Sequence, residues 1–138
     1  MSHLRYAAYS KHGEGAKDVA NMSQSARYPL SGEVITISGQ GGWDRETSKV
    51  SEDLKEEYDR AFDNVNHALI DIGGKGMSQV YKLVIYLAPL QDEAQEFLFE
   101  NLKKWFPDHS PLVSVFGIEK LSLEGMRIEI EAWAHVPA

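Results

Sequence analysis

At 138 residues the chain is long enough for one domain with a proper core, and its 43% apolar and 25% charged content is that of an ordinary globular protein. The formal charge of −7 weighs against a general nucleic-acid binder, and the lack of cysteine rules out disulfides, thiolate metal sites and cysteine nucleophiles. No apolar run approaches membrane-spanning length and residues 1–10 lack the core of a signal peptide, so a cytoplasmic protein is expected.

In chain order, the first strand is expected at residues 4–9, followed by an irregular loop over 13–22 and a second strand at 34–38. Apolar residues at Leu54, Tyr58, Ala61, Phe62, Val65, Leu69 and Ile72 recur every three or four positions, which predicts a helix over 51–72. Ser51 is its expected N-cap and Gly73-Gly74 its stop. A strand at 80–87 precedes a second helix over 92–106, with an Asp92/Gln95 capping box at its start and Pro107 at its end. Strands at 112–118 and 126–136 complete the chain, joined by a turn at 122–125 that reads as a β-hairpin. The two helical crossovers imply parallel pairings within one mixed sheet.

Alternation divides the last strand. Met126, Ile128, Ile130, Ala132 and Ala134 point to one side, and Arg127, Glu129, Glu131, Trp133 and His135 to the other. In 80–87 both faces read as apolar, with Val80, Val84 and Tyr86 opposite Tyr81, Leu83, Ile85 and Leu87. Two helices cover one face of such a sheet, so self-association is the expected cover for the second.

The order and spacing of four segments carry a family resemblance. These are Ile35-Thr36-Ile37-Ser38-Gly39-Gln40, the helix running into Ile72-Gly73-Gly74, the strand at 80–87, and the pair Pro111-Leu112-Val113-Ser114-Val115-Phe116-Gly117 with Met126-Arg127-Ile128-Glu129-Ile130-Glu131-Ala132. Together they resemble the YjgF/RidA (L-PSP endoribonuclease-like) family from about Asn21 to His135. The resemblance implies an α+β, chorismate-mutase-like single domain: a mixed β-sheet backed by two α-helices on one face, assembling as a homotrimer with ligand clefts between subunits.

The same resemblance implies site residues. Gly39 matches the glycine whose backbone lines the cleft, and Glu129 the acidic residue that orients an attacking water. Glu131 is its alternative, because the closing turn is one residue longer than usual. Val113 stands where the family's enamine/imine deaminases hold a substrate carboxylate with arginine, and Ser114 and Val115 after it would offer backbone groups. Met22 stands where a tyrosine commonly lines the pocket. From the residues themselves, Trp43 after the glycine turn is a candidate pocket wall. Arg127 is a candidate substitute anchor, or else a partner of Glu129 or Glu131.

Hydrogen bonds to charged groups contribute about 1.5–3 kcal/mol each, so replacing that arginine with Val113 leaves a substrate carboxylate without its anchor. The expected ligand is then less polar, or an imine without a carboxylate. The candidate functions are an imine/enamine deaminase-type hydrolase with altered substrate, a non-catalytic ligand-binding or chaperone-like homotrimer, and an endoribonuclease. No cofactor is expected. The spacing of His3, His12, His67, His109 and His135 suggests no metal site. Gly39-Gln40-Gly41-Gly42 lacks the Lys-Ser/Thr ending of a phosphate loop.

Overall fold

The structure is a computed structural model that describes residues 2–138. Its elements run β1 (Arg5–Ala7), α1 (His12–Ala20), β2 (Ser25–Arg27), β3 (Glu33–Thr36), β4 (Gln40–Gly41), α2 (Leu54–Asp71), β5 (Val80–Leu87), α3 (Asp92–Trp105), β6 (Leu112–Gly117) and β7 (Ile128–Val136). β1 and β2 form a separate antiparallel ribbon.

β7 is the centre of the five-stranded sheet. β3 and β4 run antiparallel along one edge of it, β5 runs antiparallel along the other, and β6 extends parallel to β5. The turn at 122–125 therefore does not close the expected β-hairpin, because β6 pairs with β5 alone and β7 crosses to the far side of β5. A nine-residue strand in that place can satisfy its backbone groups on both edges, which a terminal hairpin strand could not. Of the two crossovers, only the one through α3 joins hydrogen-bonded parallel neighbours; β7 is inserted between the strands that α2 connects.

The helix-covered face follows the alternation. Ile128, Ile130, Ala132 and Ala134 of β7 are buried with Leu83, Ile85 and Leu87 of β5 beneath Tyr58, Phe62, Val65 and Leu69 of α2 and Leu98 and Leu102 of α3. Each large side chain so buried contributes about 1.5–3 kcal/mol. One detail departs from simple alternation. The β5–β7 register passes from Val80↔Ala134 to Lys82↔Trp133, so Tyr81 is an extra, bulged residue. Val80 consequently joins the core, while Tyr81 packs against Tyr28.

The helix ends are local chemistry. The N-cap of α2 lies two residues after the expected one: Asp53, not Ser51, accepts from the Lys55 amide at 3.1 Å. Ser51 instead donates to Glu56 and accepts from the Asp53 amide. At the other end Gly73, at φ 101°, allows its own amide to reach Ile70 O and that of Gly74 to reach Leu69 O, closing the helix as Gly73-Gly74 predicts. Gln91 is the N-cap of α3, without the Asp92/Gln95 capping box; Asp92 is already helical and its charge sits in the favoured first turn.

The expected loop at 13–22 is largely α1. Two glycines and few apolar positions hide this helix, of which only Gly13 and Ala20 are buried. Asn21 ends it in the left-handed conformation, and its side-chain amide donates to Leu102 O at 3.0 Å and Phe106 O at 2.9 Å, capping the end of α3.

Candidate site on the open face of the sheet

Residues directly opposed on neighbouring strands project to the same side, so the register defines the face away from the helices. Glu129, Glu131 and Trp133 of β7 share it with Lys82, Val84 and Tyr86 of β5 and with Ser114 and Phe116 of β6. Tyr86 is the register partner of Glu129, yet its hydroxyl donates to Glu131 Oε1 at 3.2 Å. Its phenol is held above the ordinary range, first by desolvation and then by the hydrogen bond to Glu131 and the charges of Glu131 and Glu129. The Tyr86 ring lies near-parallel to that of Phe116, with centroids 6.1 Å apart, and Phe116 is 52% exposed. Further along the face the Lys82 ammonium sits 4.8 Å above the Trp133 ring.

Gly39 adjoins Glu129 so closely that a Cβ there would collide with the carboxylate. Glycine at that position is what leaves the carboxylate its room. Trp43 packs its ring against Gly41, the register partner of Glu129 on β4, and so stands beside the same part of the sheet.

The other candidates lie elsewhere. Val113 and Val115 pack their side chains against the core on the helix side, opposite Leu83 and Ile85; only Ser114 between them faces the open side. β6 is an edge strand, crossed at its start by the Ser23–Leu112 bridge and the Ser23 amide bonded to Pro111 O. Met22 and Val113 therefore flank one crossing point. From there to Glu129 the path spans two strand spacings and three residues, roughly 14 Å. Within one chain, the Glu129 group and the Val113 group are not brought together.

Arg127 is also not where alternation put it. Its backbone amide and Nε donate to the two oxygens of Glu57 at 2.7 Å each, and Nη2 donates to the carbonyls of Ser51 and Glu52. Glu57 is fully buried, so the guanidinium is drawn behind the sheet onto α2, away from Glu129 and Glu131. Gly42 packs against the Glu57 backbone and stem, tying the end of β4 into the same joint. A cavity of about 730 Å³ opens between residues 48–52 and the 123–127 turn; it touches Arg127 but neither Glu129 nor Gly39.

Sequence reasoning missed Tyr86 and Phe116 as neighbours of the carboxylates, although parity in 80–87 puts Tyr86 on the correct face. It missed Glu57 because nothing local signals a partner 70 residues away. Among the described residues no three His, Asp or Glu side chains are grouped to hold a metal ion, and no helix is long and apolar enough to cross a membrane.

Comparison with known proteins bears on this architecture. A RutC family protein from Pyrococcus abyssi is 29% identical over 105 residues, spanning 75% of this chain and 80% of that protein. YyfB, a member of the conserved Rid protein family from Yersinia pestis, superposes with a TM-score of 0.83 at 21% identity, covering 96% of this chain and 98% of its own. RidA from the Antarctic bacterium Psychrobacter sp. gives a TM-score of 0.68 at 26% identity, covering 82% and 89%. The model of the family described as Endoribonuclease L-PSP matches residues 16–136. By that match, and by the fold it shares with Rid proteins, the chain belongs to the L-PSP (YjgF/RidA) family.

Proposed function

We propose that the chain acts as a cytoplasmic homotrimer that binds a small molecule between subunits and hydrolyses an imine or enamine lacking a carboxylate. The carrying observation is the separation of the two half-sites, roughly 14 Å apart in one chain, which a neighbouring subunit would close. Val84, Phe116 and Trp133 on the open face supply apolar area for that contact. In the proposed reaction Glu129 takes a proton from water as its oxygen adds to the C=N carbon. That proton returns to nitrogen to give a carbinolamine, and the hydroxyl proton then passes to nitrogen as the C–N bond breaks, so that ammonia leaves and a carbonyl forms. No cationic side chain adjoins Glu129 among the described residues, since Arg127 is committed to Glu57 and Lys82 stands over Trp133. A substrate carboxylate would there meet Glu129 and Glu131 uncompensated.

The test is ammonia release from imines with and without a carboxylate. Glu129→Gln should lower turnover about 10²–10⁴-fold, the range for removing a general base. Robust turnover of a small 2-imino acid would refute the substrate assignment. A second reading, a non-catalytic binding or chaperone-like trimer, rests on the apolar open-face residues Val84, Phe116 and Trp133, and predicts ligand binding with no turnover. Endoribonuclease activity is the third reading; the −7 charge and the carboxylates of the open face weigh against a polyanionic substrate.

A further inference from the structure

His135 is 1% exposed, and its two ring nitrogens are both engaged: Nε2 with Ser31 O at 2.8 Å, and Nδ1 with Nε2 of His3 at 2.8 Å. A carbonyl can only accept, so the first contact places a proton on Nε2 of His135. The neutral ring then offers Nδ1 as acceptor, and His3 donates from Nε2. One added proton leaves this contact intact, because either ring can donate while the other accepts. Two added protons put N–H groups on both sides, with no acceptor and two like charges.

We propose that His3 and His135 form a proton-operated clasp holding the N-terminal segment on the sheet, closed while at most one imidazole is charged and open when both are. The strand pairing that otherwise holds the segment is short. The β1–β2 ribbon has three residue pairs, and one of them sets Arg5 directly opposite Arg27. Beyond the clasp it is held by the buried Leu4 side chain, the Gln24 amide donating to Ala7 O at 2.8 Å, the Tyr6 ring near His109 and the Ser2–Tyr6 hydrogen bond.

The surroundings provide no counter-charge for a doubly charged pair. Tyr28 packs on His135 and leads to Tyr81 of β5. On β3 the register partner is the uncharged Val34, with Glu33 beside it opposite Val136; on β5 Lys82 is held over Trp133. Arg5 and Arg27 are the charges of the ribbon itself. Among the described residues no carboxylate comes within ion-pair distance of either ring. Desolvation first, and His135 second, hold His3 below its ordinary value of 6.5. The released imidazole thus binds more protons than the clasped one. The clasp has its full strength above pH 6.5 and loses it as pH falls from there through the lowered value.

Hydrogen exchange on the intact protein tests this, with amides of residues 4–7 and 25–27 compared with those of β5 after correction for intrinsic rates. Between about pH 7.5 and about pH 5.5 the ribbon should lose about tenfold protection relative to β5. In His3→Gln the side-chain amide can donate or accept without titrating, so the loss should disappear. Side-chain ¹⁵N shifts should place the His135 proton on Nε2 at about pH 7.5. Flat protection in the unsubstituted protein, the same loss in His3→Gln, or a proton on Nδ1 of His135 would each overturn the proposal.

Discussion

Neighbouring residues of β7 live in different environments. Ile128, Ile130, Ala132 and Ala134 are sealed under α2 and α3, whereas Glu129, Glu131 and Trp133 stand half-exposed on the open face. The same strand thus holds the fold with one set of side chains and presents chemistry with the other. The division also governs what charge can do. Behind the sheet, Glu57 is fully buried and has its arginine; in front, Glu129 has none among the described residues.

The contrast is open to direct attack. Arg127→Met should be the most damaging change, about 3–5 kcal/mol by urea unfolding, because it removes the counter-charge of the buried Glu57 carboxylate and leaves it only the backbone amide of residue 127. A value under about 1 kcal/mol would mean that the joint between β7, β4 and α2 is not held by this pair. Ile130→Ala, one residue from Glu129 but on the sealed face, should cost about 2–5 kcal/mol. Its neighbour Glu131→Gln should stay within about 0.5 kcal/mol, and equal losses at the two positions would erase the distinction between faces. Val84→Lys places a charge at the centre of the open face, where sedimentation should report the proposed trimer giving way to monomer with the secondary structure retained.

Much of this was legible in the sequence where the pattern is local. The spacing from Leu54 to Leu69 finds α2, Gly73-Gly74 finds its end, and the alternation from Ile128 to Ala134 finds the sealed face. The failures have physical reasons. A bulge at Tyr81 shifts parity, so Val80 turns to the core against simple alternation. α1 is stabilised at its end by an Asn21 cap reaching across to α3, a contact that no periodicity announces. Strand adjacency is non-local, which is why β7 reads as the hairpin partner of β6 although it lies beyond β5. For the site, the motif singles out Gly39 and Glu129 and the fold sets them side by side, while the Arg127–Glu57 pair depends on how helix and strand dock.

The central place of β7 has a consequence for biosynthesis. β3, β4 and β5 have no common partner until residues 128–136 arrive, and Glu33 must then pair with Val136, more than 100 positions later. Such long-range closure carries a high entropic cost and slows folding. A nascent chain halted before β7 would hold α2, β5, α3 and β6 as fragments with their core-facing side chains uncovered. β7 is the strand that joins β3 and β4 to the β5–β6 pair in one sheet.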